Sequence, residues 1–243
     1  LVEVQELSSA FALMQDNIQA RESKIIFQAN HDLLTRVNNR YHIEQLVDDK
    51  LKLNDDFQAI GINIFGFRGI NDIFGYQSGD VCLKVLASRV AELGGLAARL
   101  TGGELLWIPE QLQTPEQLNA LKLALEQPID DAGVVINLKV AMGIIHCPGQ
   151  ADSAQLLFRR MNIVLDEAQI TRQLLLYFDP AIEQRYLRRL SIIVELKKVL
   201  ASEQQELSLS YQPKLNIGAN KINNVEALIR WNSPTLGFVS PED

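Results

Sequence analysis

Cysteine is scarce in this chain: two among 243 residues, Cys82 and Cys147. Two cannot build a disulfide framework or a four-ligand zinc site, so both are expected to be buried thiols of a reducing compartment. Histidine is almost as sparse. His31, His42 and His146 are scattered, so a histidine-based triad has no local support, and each is expected at the surface or at a cap. Gly-rich phosphate loops, His-Glu-x-x-His and Cys-x-x-Cys are missing. No stretch approaches the roughly 20 apolar residues needed to cross a bilayer. Positive charge is in the minority, with 23 Lys and Arg against 30 Asp and Glu, a net charge of −7. That argues against a nucleic-acid partner gripped through bulk charge. The chain opens on Leu1; no signal peptide is expected, and the chain is expected to be a soluble piece of a longer polypeptide. What remains is ordinary: 47% hydrophobic, 22% charged and 7% aromatic residues, which excludes collagen-like, mucin-like and disordered classes. The length suits one full domain plus something, or two small ones.

Residues 1–30 carry Val4, Leu7, Phe11, Met14 and Ile18 at spacings of 3 and 4. That pattern predicts a helix whose seam packs on a like helix or folds back on its own domain. A helical pattern follows through Ile43, Leu46, Val47 and Leu51. Phe57 to Phe65, with Ile60, Ile62 and Ile64 alternating, predicts a strand, interrupted by Ile70, Asn71, Asp72 and Gly75. A helix is predicted from Asp80 through Leu93. Two short strands around Thr101-Gly102-Gly103-Glu104 predict a hairpin. Thr114-Pro115 starts a helix, Val134 to Ile145 reads as one long strand, Asp152-Ser153 opens another helix, and Leu174 to Phe178 reads as a last strand. The core order is βαββαβ, an α/β (α+β) sheet with its helices expected on one face. Ile182 to Leu200 predicts one more helix, flanked by Arg185, Arg188, Arg189, Lys197 and Lys198. This basic flank is either a solvated face or the basis of an RNA-binding adaptor. Two strands, Leu207–Tyr211 and Ile222–Trp231, close the chain. A strand pair cannot bury its apolar face alone, so these residues are expected to lean on the first domain or to be poorly ordered.

In such a sheet the end of the first strand faces the hairpin turn, the palm/nucleotide-cyclase geometry in which carboxylates from those two places hold Mg²⁺. The segments there are Ile62-Asn63-Ile64-Phe65-Gly66-Phe67-Arg68-Gly69-Ile70-Asn71-Asp72, then Gly75 and Gly79-Asp80, and Arg99-Leu100-Thr101-Gly102-Gly103-Glu104-Leu105-Leu106. Together with His31-Asp32-x-Leu34-Thr35 and Asn39-Arg40, they resemble the GGDEF (diguanylate cyclase) family over residues 31–178. The resemblance implies a domain that joins two GTP molecules into cyclic di-GMP with Mg²⁺, two domains meeting face to face. On it, Glu104 and Asn63 match metal-binding positions, Asn71 and Asp80 match guanine-binding residues, and Arg68 matches a phosphate-contacting one. Asp80 could instead cap the following helix.

The departures point away from catalysis. Asn63 and Phe65 stand where the family has two Asp residues, and Leu105 replaces the second acid of the signature turn. Gln169 stands at a phosphate-contacting Lys, and Leu93-Gly94-Gly95-Leu96 at the product-inhibition motif. Mg²⁺ takes hard oxygen ligands, usually including carboxylates, and an amide brings no charge. No intact catalytic set is expected beyond the remnant Glu104, and Mg²⁺ binding is expected to be weak.

A second resemblance lies in Leu209-Ser210-Tyr211-Gln212-Pro213 and Val225-Glu226-Ala227-Leu228-Ile229-Arg230-Trp231. These look like the opening of an EAL domain, the cyclic di-GMP phosphodiesterase family. Glu226 matches its first metal-binding carboxylate, and Gln212, Leu228 and Arg230 match dinucleotide-contacting positions. The other metal ligands of that family would lie past residue 243, so cyclic di-GMP is expected as a partner only of a complete EAL domain. The N-terminal stretch resembles the last helix of a HAMP module.

The expected organisation is a signalling helix at 1–30, a degenerate GGDEF domain at 31–180, a connecting helix at 181–204 and truncated EAL strands at 205–243. The expected role is a homodimeric relay in the cytoplasmic part of a bacterial inner-membrane protein. The alternatives are a GTP-binding allosteric sensor or a weakly active cyclase.

Overall fold

The computed structural model describes residues 2–201, 206–218 and 220–241, with side chains from residue 14 onward. The chain divides into two compact units, Leu1–Asp179 and Pro180–Asp243.

The first unit begins with α1 (Val2–Asn30), whose Met14 and Ile18 are exposed. The side chains of Val4, Leu7 and Phe11, the rest of the expected seam, fall outside the described residues. Next come α2 (Arg40–Lys52), β1 (Phe57–Ile64), α3 (Phe67–Phe74), α4 (Tyr76–Ala91), β2 (Leu96–Arg99) and β3 (Glu104–Ile108). They are followed by α5 (Pro115–Leu125), β4 (Ile129–Asp131), β5 (Val134–Ile136), β6 (Val140–Cys147), α6 (Ala154–Thr171) and β7 (Leu175–Tyr177). Five strands form one sheet in the order β2-β3-β1-β6-β7, antiparallel except for the β6–β7 pair. This is the mixed α/β, palm-like architecture that the strand order predicts.

Four details differ from expectation. Helices cover both faces of the sheet. All eight residues of β1 are buried, because Ile60, Ile62 and Ile64 pack toward α4 and α5 while Ala59 packs toward α2 and α6. Residues 67–74, read as an interruption, form α3; Gly75, at φ 87°, separates it from α4. Asp80 therefore lies inside α4 and caps nothing, since the N-cap is Gly75. The long strand over 134–145 is two strands: β5 pairs back on β4 across an Ala132-Gly133 turn, and only β6 joins the main sheet.

The tightest layer contact is glycine-dependent. Gly61 of β1 pairs with Gly143 of β6, and α6 lies directly on that pair. A Cβ at Gly61 would collide with Sδ of Met161, and one at Gly143 would come within 2.9 Å of Val164 Cγ1. Two caps fix the helices that flank the sheet. Thr114 and Gln117 form a reciprocal capping box on α5. Asp48 of α2 accepts from the Ala154 N–H at 2.9 Å, tying α2 to the start of α6.

The second unit holds α7 (Pro180–Ala201), β8 (Leu207–Asn216), β9 (Lys221–Ser233) and β10 (Gly237–Val239), with sheet order β10-β9-β8. Part of the strands' apolar surface is covered within the unit, while Leu209, Tyr211, Leu215, Ile222, Val225 and Phe238 stay exposed. Ile192 and Val199 of α7 bury against Trp231 and Val239, with Leu196 and Leu207 alongside, and Trp231 Nε1 donates to Glu206 at 3.0 Å. That α7 packs on these strands is a feature the strand-pair argument does not anticipate. Among the described residues no helix is long and apolar enough to cross a membrane.

Candidate functional site

Asn63 is the next-to-last residue of β1 and Glu104 the first of β3, and the antiparallel register sets them directly opposite one another. Cross-strand partners share a face. The Asn63 amide Nδ2 donates to Glu104 Oε1 at 3.3 Å. The turn that presents Glu104 is closed by Leu100 N–H to Glu104 O at 2.9 Å and Glu104 N–H to Thr101 O at 2.8 Å. Ile64 N–H donates to Gly103 O at 3.1 Å, locking turn to strand. Burial pushes the Glu104 carboxyl above its usual range, the charge of Asp166 on α6 adds to the rise, and Arg40 at the start of α2 opposes it. Arg40 itself lies over the Phe158 ring, 4.7 Å from its centre.

Strand alternation decides what Leu105 can do. It points to the opposite face from Glu104 and is buried in the cluster with Ile62, Leu83 and Leu86. Phe65, just past β1, is partly exposed. As donors for Mg²⁺ the strand ends therefore offer one carboxylate and one amide already turned toward that carboxylate. Among the described residues no three His, Cys, Asp or Glu side chains cluster as metal ligands. A pair of divalent ions beside a triphosphate needs more anionic oxygen than this, so the donor set does not fit that group.

The expected nucleotide residues meet at the α3–α4 corner. The Asn71 side chain lies across Gly79, occupying the space where a Cβ would stand, and Asp80 follows as an exposed residue. Arg68 is almost fully exposed, with a loose 3.8 Å pairing to Asp72. The corner connects to the hairpin through Phe67, whose ring packs 3.1–3.3 Å from where a Gly103 Cβ would sit.

Arg99 and Asp32 belong to the recognised motifs, but their contact is visible only in three dimensions. Arg99 Nη1 reaches both Asp32 carboxylate oxygens at 3.2 and 3.3 Å, and its Nη2 donates to Gly102 O at 3.2 Å. Asp32 also accepts from Thr35 N–H at 2.8 Å and Thr35 Oγ1 at 2.7 Å. Burial raises the Asp32 carboxyl, but the Thr35 and Arg99 hydrogen bonds outweigh it and hold the group below its usual range. The Asp32-x-x-Thr35 spacing is the signal for the local half of this network; nothing in the sequence signals its reach to Gly102. Arg40 and Asp166 beside Glu104 were likewise not signalled as site groups.

In the second unit Gln212 and Glu226 are directly opposite across β8 and β9. Leu228 and Arg230 follow at alternate positions on the same sheet face. Lys214, not anticipated, pairs with Glu226 at 2.9 Å.

The family model for the GGDEF domain, diguanylate cyclase, matches residues 29–173. The biofilm architecture maintenance protein MbaA of Vibrio cholerae is 28% identical over 260 residues, covering 99% of this chain and 33% of that protein. The bifunctional diguanylate cyclase/cyclic di-GMP phosphodiesterase MucR of Pseudomonas aeruginosa is 24% identical over 249 residues, covering 97% of this chain and 36% of that protein. The chain spans about a third of the length of the curated relatives it matches. Among solved structures, the coiled coil and GGDEF domain of DgcB from Caulobacter crescentus, in complex with c-di-GMP, superposes with a TM-score of 0.61 at 18% identity, covering 71% of this chain and 97% of that one. The GGDEF domain of TpbB (YfiN) from Pseudomonas aeruginosa gives 0.58 at 22% identity, covering 65% and 99%. With more than half of its residues matched by the family model, this chain belongs to the GGDEF, diguanylate cyclase, family.

Proposed function

We propose that this chain is the catalytically impaired, regulatory GGDEF portion of a GGDEF-EAL protein in bacterial cyclic di-GMP signalling. It would relay a signal from an N-terminal, HAMP-like helix to an EAL domain that begins near residue 205. The observation that carries the impairment is the Asn63–Glu104 pair: where the family's cyclases need carboxylates for Mg²⁺, an amide donates its N–H to the one acid left. Phosphoryl transfer depends on metal electrostatics and positioning, so the missing charge costs orders of magnitude in rate. Leu105 cannot restore it, because its side chain is in the core.

Support for the EAL half comes from the alignment of nearly the whole chain with MucR, whose name carries both activities, and from the shared face of Gln212, Glu226, Leu228 and Arg230. Support for the relay comes from the Asp32–Arg99–Gly102 link between the exit of α1 and the hairpin. In this reading two copies pair through α1, and the protein sits on the cytoplasmic side of the inner membrane.

A second reading, an allosteric GTP sensor, is favoured by the Asn71–Gly79–Asp80 corner with Arg68 on the same helix. Calorimetry with GTP and ATP tests it. Heat with GTP alone, abolished by Asp80→Ala, supports the sensor; no heat at millimolar GTP leaves the relay without a ligand.

A further inference from the structure

We infer that the Gly102-Gly103 turn is a mechanical latch joining α3 to the exit of α1, so that what α3 holds and how firmly α1 is docked are linked. Three sets of contacts carry this. On one side the Phe67 ring packs on Gly103, while Phe67 and Ile70 of α3 lie against the same apolar cluster as Leu34 and Val37 of the loop after α1. On the other side Arg99 grips the Gly102 carbonyl and the Asp32 carboxylate together. Beyond Asp32, the same loop holds the last turn of α1. Asn39 N–H donates to Asn30 O at 2.9 Å, Asn39 Nδ2 to Ala29 O at 2.7 Å, and the His31 ring stacks on Phe27 at 4.2 Å.

Those carbonyls are the orphan acceptors at a helix C-terminus. The loop that satisfies them thereby sets where α1 leaves the domain. Two backbone hydrogen bonds close the turn on itself, Leu100 N–H to Glu104 O and Glu104 N–H to Thr101 O, but its outer residues have few contacts of their own. Thr101 and Gly102 are exposed, and Gly102 sits at φ 52°. Its position is decided by Phe67 and Ile64 on one flank and by Arg99 on the other. A displacement of α3 shifts Gly103, Gly103 shifts Gly102, and the Arg99 fork transfers the shift to Asp32. Linkage makes the effect reciprocal: a pull on α1 changes the α3 corner by the same coupling free energy. That a guanine nucleotide is what loads α3 rests on the reading of Asn71 and Asp80 above. The latch itself needs no nucleotide.

Hydrogen–deuterium exchange on the full chain without nucleotide tests it. Phe67→Leu loosens the ring contact, and Gly103→Ala strains it from the turn side at a φ that alanine tolerates. Asp32→Asn weakens the far end. With either of the first two, amides of residues 31–39 should exchange about fivefold faster or more, while α5 stays unchanged. With Asp32→Asn, the amides of Gly69, Ile70 and Glu104 should respond likewise. Faster exchange confined to residues 67–74 and 101–104 in the first two variants, with 31–39 at the wild-type rate, overturns the latch. So does an equal acceleration in α5, which marks general loosening. A chain that binds no GTP but passes this test keeps the latch and loses only its ligand.

Discussion

Asn63 and Glu104 face each other across β1 and β3 with an amide-to-carboxylate hydrogen bond of 3.3 Å. Position 63, though buried, already carries a polar side chain beside Glu104, so it can be recharged without displacing an apolar core residue. Asn63→Asp sets two carboxylates opposite one another, which is destabilising without a cation. The variant should unfold at lower urea than the wild type in EDTA and recover in Mg²⁺, whereas the wild type should show no Mg²⁺-dependent shift. An equal shift of the two proteins between EDTA and Mg²⁺, or none in either, would remove the argument from charge.

Leu105→Glu behaves differently, although Leu105 also stands at a lost acid. Its side chain is buried against Ile62, Leu83 and Leu86, and an unpaired charge there costs several kcal/mol or unfolds the domain. Urea denaturation should show a midpoint far below that of Asn63→Asp. A stable Leu105→Glu protein would contradict the assigned strand face.

Glu104 is held up by burial and by Asp166. A carboxyl whose folded pKa exceeds its unfolded value loses stability as pH rises through that window. Glu104→Gln removes the penalty, so it should raise the urea midpoint at pH 7 and leave little difference at pH 4. A lower midpoint at pH 7 would show that the Asn63 hydrogen bond outweighs the burial cost.

Acid works in the opposite direction at Asp32 and Glu126. Burial pushes Glu126 up, but hydrogen bonds from Lys122, the Val140 N–H and Lys139 outweigh it and depress the group; Asp32 is depressed by Thr35 and Arg99 against its burial. A depressed carboxyl contributes stability above its unfolded pKa and loses it as pH falls through the folded value. Starting from ordinary values of 4.5 for Glu126 and 3.8 for Asp32, the loss belongs below about pH 4.5. Glu126→Gln should flatten that part of the stability profile.

Gly61→Ala tests the α6 seat. The added methyl group meets Met161, and overpacking of this kind costs about 1–3 kcal/mol. Calorimetry should show a lower Tm with the same folded spectrum.

Much of this was legible in the chain because local chemistry and fold agree. Thr114-Pro115 and Ser153 are helix starts by capping alone, and Gly102-Gly103 between two apolar runs gives the hairpin. The Asn63–Glu104 juxtaposition follows once the strand order is known. Other features needed the third dimension. β1 reads as an alternating strand, so the second covered face, made by α2 and α6 over Gly61 and Gly143, was hidden. Residues 67–74 carry Gly69, Asn71 and Asp72, poor helix formers, and α3 exists because Phe67 and Ile70 pack on the core. The split of the 134–145 run comes from β5 pairing with β4. The Leu105 substitution looked like a second lost ligand, and only strand alternation shows it facing the core.

The most direct measurement is product formation. The full chain, incubated with GTP and Mg²⁺ at a concentration that favours pairing and followed by chromatography, should yield no cyclic di-GMP above the protein-free background. Sustained formation of cyclic di-GMP by the unmodified chain would contradict the account, because it would mean that Glu104 with an amide at position 63 suffices for the reaction.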